Sequence, residues 1–271
     1  MGNAANRPLE GTCVVVTRPA HQAQALCEKL GALGAEVERF PAMDIEPVHI
    51  SGTSDLAIRG KKADWLIFIS ANAIRCALQL APALIAETQA KVATVGPATA
   101  RAFEAIAGRA PDVIPDGGFT SEGLLACAAL QAVENQQILI VRGVGGREIL
   151  ARTLRERGAQ VTYAEVYQRR RPKPDSSEIQ KVWLSHAHPL VVTATSQEVL
   201  ANLKAMLAHG PAAKRLADSQ LVVVNEAMVK MARDLGFREP ALLAAAANDD
   251  AVVQAILHWR KTGHHPGEPA A

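Results

Sequence analysis

Short polar turns follow the apolar segments of this chain, and their residue types could bind an anion. Small side chains leave backbone N–H groups open, and the amino terminus of a helix adds partial positive charge, which favours a carboxylate or a phosphate. Ser, Thr and Asn are also ordinary N-caps, so capping alone is the competing interpretation of each turn. The turns are Thr17-Arg18-Pro19, Ser70-Ala71-Asn72, Gly96-Pro97-Ala98-Thr99, Gly118-Phe119-Thr120-Ser121, Gly143-Val144-Gly145-Gly146-Arg147, Thr195-Ser196-Gln197-Glu198, which fits a capping box, and Asn225-Glu226.

The motifs of the common cofactor and nucleophile sites are missing. Gly143-Val144-Gly145 is followed by Gly146-Arg147-Glu148, so it is no dinucleotide loop, and the chain has no Walker loop, H-E-x-x-H, G-x-S-x-G or metal-spaced Cys/His set. His264 and His265 stand in a Pro/Gly-rich tail that is more typical of disorder than of a metal site. The sequence therefore predicts no metal and no cofactor, and an enzyme of this kind must rely on positioning.

Apolar runs alternate with helical patterns along the whole chain. Each run precedes a polar turn and a helix signal, as where Thr17-Arg18-Pro19 precedes leucines at i, i+4 and i+7. This alternation predicts an α/β fold with parallel sheets covered on both faces, whose ligands gather at the carboxyl ends of the strands. The predicted strands are Val14 to Thr17, Glu36 to Phe40, Asp64 to Ile69, Lys91 to Val95, Asp112 to Ile114, Ile138 to Val141, Leu190 to Thr193, Leu221 to Val224 and Ala241 to Ala244.

The stretch from Cys13 to Val37 recurs 124 positions later, from Gln137 to Val161. In this register Arg18 aligns with Arg142, and Gly34 aligns with Gly158. The register persists with small shifts further along the chain, and a period of this length has the size of a domain. The repeat predicts two related domains that share a cleft.

The amino-acid composition and the net charge of the chain favour a globular protein that does not bind nucleic acid. With 271 residues, 49% hydrophobic and 21% charged, the chain is ordinary for a globular protein with two cores. A net charge of +2 and an aromatic content of 4% argue against nucleic acid as a partner. The dispersed cysteines suit buried thiols in a reducing compartment, and with no signal sequence and no apolar span a cytoplasmic location is expected.

Tyr167 ends the second copy of the repeat, in Glu165-Val166-Tyr167-Gln168. From pattern alone, a tyrosine at a strand end is more typical of packing than of catalysis. The arginines from Arg169 to Arg171 are typical of a solvated connector, although a cleft-edge triplet would also attract anions.

Six segments, in this order and spacing, resemble the uroporphyrinogen-III synthase family over nearly the whole chain. They are VTRPAHQAQALCEKLGALGAEVERFPAMDIEP at Val16 to Pro47, DWLIFISANAIR at Asp64 to Arg75, VGPATARAF at Val95 to Phe103, GFTSEGLL at Gly118 to Leu125, ILIVRGVGGRE at Ile138 to Glu148 and GAQVTYAEVYQRR at Gly158 to Arg170.

The resemblance implies a monomer of two doubly wound α/β domains, joined by a two-stranded connection, with the active site in the interdomain cleft and no cofactor. One domain would hold residues 1–43 with 172–271, and the other 48–165. The connectors would be 44–47 and 166–171. Transient contact with neighbouring enzymes of the haem pathway stays open.

The implied reaction is that of a hydro-lyase: dehydration and cyclisation of hydroxymethylbilane, a tetrapyrrole with eight carboxylates, with inversion of ring D through a spiro intermediate to give uroporphyrinogen III. On this resemblance Tyr167 would assist departure of the hydroxyl. Asn225 to Met228 and Ala194 depart from the pattern of many relatives. The resemblance therefore gives less support for assigning substrate contacts in that part of the chain. The expected substrate-binding residues are Arg18, Ser70, Asn72, Gly96, Thr99, Thr120, Ser121, Gly145, Thr195, Ser196 and Asn225.

Two other classes compete with a cyclising enzyme. One is a non-catalytic two-domain protein that binds an anionic small molecule. The other is a nucleotide-using transferase, which the absence of a phosphate-cradling glycine loop disfavours.

Overall fold

The computed structural model describes residues 7–48, 53–186, 188 and 190–262. The tail that contains His264 and His265 lies outside the described residues. The strands are β1 (Cys13–Val16), β2 (Glu36–Arg39), β3 (Asp44–Pro47), β4 (Trp65–Phe68), β5 (Lys91–Thr94), β6 (Gln137–Gly143), β7 (Gln160–Arg170), β8 (Leu190–Thr193), β9 (Gln220–Val223) and β10 (Leu242–Leu243).

The helices alternate with these strands. They are α1 (Ala20–Ala32), α2 (Thr53–Lys62), α3 (Ala71–Leu80), α4 (Pro97–Ala107), α5 (Ser121–Ala126), α6 (Ile149–Glu156), α7 (Ser176–Ile179), α8 (Gln197–Met206), α9 (Gly210–Ala217), α10 (Glu226–Asp234) and α11 (Asp249–Thr262), with a 3₁₀ turn at Ala128–Leu130 and a π-helical turn at Gln180–Leu184. Among the described residues, no helix combines the length and the apolar character that crossing a membrane requires.

The chain divides into two compact units, and each contains one five-stranded sheet. The first unit comprises Met1–Asp44 and Arg170–Ala271, and the second comprises Ile45–Arg169. The first sheet has the order β10-β9-β8-β1-β2, with every neighbouring pair parallel. The second has the order β3-β7-β6-β4-β5, in which the pairings of β7 with β6, β6 with β4 and β4 with β5 are parallel.

Both faces of the second sheet are buried. Leu66, Phe68 and Val141 pack on one face with apolar residues of α3 and α4. Trp65, Ile67 and Ile140 pack on the other face with residues of α5 and α6. Successive side chains of one strand thus pack into two different cores. The sequence of each strand is therefore a continuous apolar run. The predicted α/β class with parallel sheets is confirmed.

The internal repeat is confirmed by the topology. The order β9-β8-β1-β2 in the first sheet corresponds to β5-β4-β6-β7 in the second. Gly34 and Gly158 occupy the same place after α1 and α6, both with the positive φ that favours glycine, +90° and +84°. The residue after each donates its N–H to a carbonyl of the preceding helix at 3.1 Å, as Ala35 to Leu30 and Ala159 to Leu154.

Some predicted strands differ from the observed ones. Asp112 to Ile114 forms no strand, only a single parallel bridge between Val113 and Ala93, and the Ala241 to Ala244 strand shrinks to the two residues of β10. Both stretches lie at a sheet edge, where only one neighbour can supply hydrogen bonds. Residues 44–47 and 166–170, expected as a two-stranded connection, lie in β3 and in the last part of β7, which neighbour each other in the second sheet.

Candidate active site

In each unit the predicted turns lie at the carboxyl ends of parallel strands, except the turn at Gly118 to Ser121, which follows a single bridge at Val113. In the second unit, Ser70 follows β4, Gly96 follows β5 and Gly145 follows β6. In the first unit, Arg18 follows β1, Thr195 and Ser196 follow β8, and Asn225 follows β9. The carboxyl ends of parallel strands form one edge of a sheet, so the residues within each unit share that edge.

Four of the predicted residues cap helices with their side chains. The side chains of Ser70 and Thr120 accept hydrogen bonds from Ala73 N–H at 3.1 Å and Gly123 N–H at 3.2 Å. Ser196 and Asn225 accept in the same way from Val199 at 3.2 Å and Met228 at 3.0 Å. The capping interpretation is therefore realised at these turns. A hydroxyl has further hydrogen-bonding capacity, so capping and ligand binding are compatible for the two serines and the threonine.

The capping box predicted at Thr195 to Glu198 is wrong in detail. Ser196, not Thr195, is the N-cap of α8, and its partner three residues on is Val199, which has no carboxylate to complete a box. The hydroxyl of Thr195 is left out of the cap, and the residue is half-buried.

Tyr167 is buried and reaches the amino terminus of α3. Its side chain is part of the apolar core of the second unit, with the residue only 2% exposed, and its hydroxyl lies 3.1 Å from the hydroxyl of Ser70. Gly143 makes room for the ring, because a Cβ at that position would lie 2.6 Å from two ring carbons of Tyr167. The second unit thus brings together the predicted catalytic tyrosine and one predicted binding serine.

A cavity of about 460 Å³ opens at the carboxyl edge of the second sheet. Among the predicted residues, Thr120 and Ser121 line it. Three arginines that were not among the predicted binding residues also line it, Arg142, Arg147 and Arg169. The remaining lining residues are Ile69, Val95, Ile140, Gly146, Leu150, Ala151 and Tyr163. An apolar floor with several cationic groups suits an organic polyanion.

Arg142 is the most buried charge of this cavity. Its side chain is 3% exposed, and its guanidinium lies 3.0 Å from the carboxylate of Glu148 and 4.0 Å from that of Glu165. It also donates to the carbonyl of Gly143 at 3.2 Å and stacks over the ring of Tyr163 at 4.6 Å. Two acidic groups and an aromatic face therefore fix its position. The repeat was the available signal, since it aligns Arg142 with Arg18.

Tyr163 completes this network. Its hydroxyl donates to Glu148 at 2.5 Å. Burial, followed by this carboxylate, raises the pKa of Tyr163, and the hydrogen bond from Tyr163, with help from Arg142, lowers the pKa of Glu148. Both directions favour a neutral phenol that donates to an ionised carboxylate, which keeps a negative charge beside Arg142.

Arg18 in the first unit has its own carboxylate partner. Its guanidinium pairs with Asp249 in the first turn of α11, and its side chain is 13% exposed. The predicted role of Arg18 in substrate binding would require this pair to open or to accept a further partner.

The other predicted residues of the second unit lie on helices or in turns. Asn72 is the second residue of α3 and is half-buried, and Thr99 is the third residue of α4 and is 6% exposed. The N–H of Gly145 donates to Glu165 at 3.2 Å. Among the predicted residues of the second unit, those that do not line the cavity are Ser70, Asn72, Gly96, Thr99, Gly145 and Tyr167.

Comparison with known proteins identifies the family of this chain. The family model described as uroporphyrinogen-III synthase HemD matches residues 24–254. The chain is 30% identical over 250 residues to the uroporphyrinogen-III synthase of Escherichia coli strain K12, covering 90% of this chain and 99% of the relative. It is 32% identical over 211 residues to that of Synechococcus elongatus, covering 75% of this chain and 78% of the relative.

Solved structures agree on the fold. Uroporphyrinogen-III synthetase from Helicobacter pylori superposes with a TM-score of 0.59 at 13% identity, covering 90% of this chain and 98% of that one. A mutant uroporphyrinogen III synthase from Thermus thermophilus superposes with a TM-score of 0.54 at 18% identity, covering 93% and 100%. From the family match and the relatives together, the chain belongs to the uroporphyrinogen-III synthase family.

Proposed function

We propose that this protein is a hydro-lyase that dehydrates and cyclises hydroxymethylbilane, inverting ring D through a spiro intermediate to give uroporphyrinogen III on the path to haem. The observation that carries the proposal is the relationship to the Escherichia coli protein of that name, which covers 99% of the relative's length. The match also covers 90% of this chain, so neither protein has a large segment without a counterpart in the other.

The cavity of the second unit supports binding of a polycarboxylate. Arg147 and Arg169 line the cavity and are exposed to solvent, where their charges attract substrate carboxylates at long range. Arg142 is buried between two carboxylates and over Tyr163, so it is held in place rather than free to follow a ligand. In this proposal the two exposed arginines attract the substrate, and Arg142 holds the cavity wall in a fixed position.

The hydroxyl pair of Tyr167 and Ser70 supports assistance to the leaving group. An electron-rich pyrrole can expel its own hydroxyl, so the protein needs only to supply a hydrogen bond or a proton to the departing oxygen. The Tyr167 hydroxyl is 3.1 Å from Ser70, whose hydroxyl also caps α3. In this proposal the serine orients the phenol, and side-chain movement on substrate binding exposes the phenol, which is 2% exposed in this structure, to the leaving hydroxyl.

Positioning supplies the specificity. Unguided closure of the bilane gives the uninverted isomer, uroporphyrinogen I. To obtain isomer III the protein must hold the chain so that the substituted α-carbon of ring D attacks, which is a matter of geometry rather than of a reactive nucleophile. The proposal includes a cofactor-free reaction by a cytoplasmic monomer, and the residues predicted in both units remain proposed contacts.

Isomer analysis tests this function. A catalytic amount of the purified protein is added to hydroxymethylbilane, and the oxidised product is separated by chromatography. The synthase gives isomer III over many turnovers. A binding protein for anionic small molecules would leave isomer I as the product, and this result would overturn the proposal.

A further inference from the structure

A group of side chains that could bind a metal lies at the amino-terminal edge of the first sheet. Cys13 begins β1, Glu36 begins β2, and His186 lies in the segment that precedes β8. These are the amino-terminal ends of strands, whereas the proposed substrate residues follow the carboxyl ends. One Sγ, one carboxylate oxygen and one imidazole nitrogen from these three residues all lie within 4.8 Å of one another.

The sheet register explains why two of these groups meet. Cys13 and Glu36 are directly paired in the parallel ladder of β1 and β2, so their side chains project from the same face. Glu38 projects from that face two residues further along. The opposite face carries Val14, Val16 and Val37, which pack with α1. A carboxylate repeated at alternate positions of a strand is thus set beside a buried thiol.

One ring nitrogen of His186 is buried without a hydrogen bond. Its side chain is 9% exposed, its Nδ1 lies 3.2 Å from Glu36, and its Nε2 lies 3.5 Å from Glu38. Nε2 is buried and makes no hydrogen bond within the described part of the chain. A buried polar atom without a hydrogen bond is costly and calls for a partner. The imidazole therefore faces two carboxylates and a thiol with unused binding capacity.

The donor set selects the kind of partner. A thiolate, an imidazole and carboxylates together are typical ligands of zinc, whereas magnesium and calcium require oxygen donors. In tetrahedral zinc sites, bonds of about 2.0–2.3 Å place ligand atoms roughly 3.3–3.7 Å apart. The three ligand atoms lie within 4.8 Å of one another, so metal binding requires them to move closer together.

We propose that Cys13, Glu36 and His186 form a binding site for zinc at the amino-terminal edge of this sheet, with a water as the fourth ligand. On binding, the Cys13 thiol gives its proton to solvent and its sulfur forms the bond to the metal. The site joins β1, β2 and the segment before β8, so its role is structural.

The nearby charges are compatible with a divalent cation. Lys181 lies 3.2 Å from Glu38, and Arg215 donates to the backbone carbonyl of His186 at 3.1 Å. Two carboxylates and these two cations leave the cluster close to neutral, so a metal bound to a thiolate adds one positive charge. The competing state is His186 paired with both carboxylates and no metal bound.

Cobalt is the probe that distinguishes these states. The full chain is purified under reducing conditions, stripped with a chelator and titrated with Co²⁺, because thiolate coordination produces a charge-transfer band in the near ultraviolet. We expect this band in the wild type, and its bleaching by an equimolar amount of zinc. The Cys13→Ser variant should lose the band. Cys76→Ser, which changes a buried thiol of the other unit, is the matched control and should retain it.

Two further variants keep the test decisive should Cys13→Ser fail to fold. Glu36 has a half-exposed side chain, so Glu36→Gln should fold, and it should weaken cobalt binding at least tenfold. His186→Gln should do the same. No charge-transfer band in the folded wild type, a band that survives in Cys13→Ser, or unchanged affinity in Glu36→Gln would each overturn the proposal.

Discussion

The hydroxyl oxygens of Tyr167 and Ser70 lie 3.1 Å apart, although 97 positions separate the two residues in the chain. Ser70 also accepts the N–H of Ala73 as the cap of α3. The tyrosine is thereby oriented by a group whose own position is fixed by a helix terminus. This relationship links the fold of the second unit to the proposed departure of the leaving hydroxyl.

Removing the phenol hydroxyl should slow the reaction. Tyr167→Phe retains the buried ring and loses only the oxygen near Ser70, so we expect kcat to fall. A loss of about 10²–10⁴-fold indicates proton transfer, and a loss of about tenfold indicates a hydrogen bond alone. Steady-state kinetics on hydroxymethylbilane measure this, with thermal unfolding as the check on folding. A kcat equal to that of the wild type would remove Tyr167 from the mechanism.

Gly143 should be required for the position of that ring. In Gly143→Ala the new Cβ would lie 2.6 Å from the Tyr167 ring, so the ring must shift. We expect a loss of about 1–3 kcal/mol in the free energy of unfolding and a kcat reduced by about 100-fold.

The matched control for Gly143 is Gly31→Ala. Gly31 lies within α1, and a Cβ there meets nothing within 4 Å. Alanine should stabilise this helix by about 0.5–1 kcal/mol and leave the kinetics unchanged. The free energy of unfolding in urea and kcat are measured for both variants and compared with those of the wild type. Equal behaviour of the two variants would show that the contact with Tyr167 is unimportant.

Arg147 should contribute to binding rather than to chemistry. Its side chain is 74% exposed and pairs with Glu122 at 3.3 Å. Arg147→Gln should raise KM about two- to fivefold at low salt, with little change in kcat, because an exposed charge contributes modestly. The difference should shrink as ionic strength rises.

Arg152→Gln provides the comparison for Arg147. Its side chain is similarly exposed, at 68%, and pairs with Glu156 on α6, but it does not line the cavity. KM should stay at the wild-type value in this variant. A KM that rises equally in both would indicate a general effect of net charge and would contradict a role for the cavity.

Adjacent hydroxyls at the start of α8 should behave differently. Ser196→Ala removes the N-cap and should cost about 1 kcal/mol of stability. Thr195→Ala leaves the cap intact and should cost less, so any loss of activity there would report on substrate contact alone. Denaturant unfolding and KM of the two variants separate the roles. Greater destabilisation by Thr195→Ala would contradict the observed cap.

Stability should fall at alkaline pH because of Cys13. Burial, followed by Glu36 and Glu38, raises the pKa of Cys13 from 9.0 to about 12. Below 9.0 the thiol is neutral in both states. Between 9.0 and about 12 it ionises only in the unfolded chain, so folding loses about 1.4 kcal/mol per pH unit.

Cys13→Ala lacks this thiol and should lose stability less steeply in the same window. Urea unfolding of metal-free protein across the pH series provides the measurement. The alkaline slope of the wild type should exceed that of the variant, and parallel slopes would show that the folded and unfolded states hold this thiol proton equally tightly.

The strands and the repeat could be predicted because they depend on local pattern. Apolar runs such as Trp65–Phe68 are buried on both sides, so the sequence marks them without reference to distant residues. Asp44–Pro47 forms the edge strand β3, which neighbours β7. This pairing joins distant positions, so the two-stranded connection was expected from the family resemblance and not from local pattern.

The site was less predictable, because its contacts join distant positions. The N-caps could be anticipated from residue type, but the pairing of Arg18 with Asp249 spans 231 positions and leaves no spacing signal. The cluster of Cys13, Glu36 and His186 has the same character, and a search for metal-binding motifs cannot find it. The repeat aligns Arg142 with Arg18, but the contacts of Arg142 with Glu148, Glu165 and Tyr163 join positions that no sequence pattern links.

The isomer ratio of the product at varied protein concentration tests the central claim most directly. Fixed hydroxymethylbilane is mixed with increasing amounts of protein, and isomers I and III are quantified at completion. If the protein guides ring inversion, isomer III should rise towards the entire product as enzymatic closure overtakes the spontaneous reaction, while isomer I declines. A product that stays isomer I at every concentration would contradict the account.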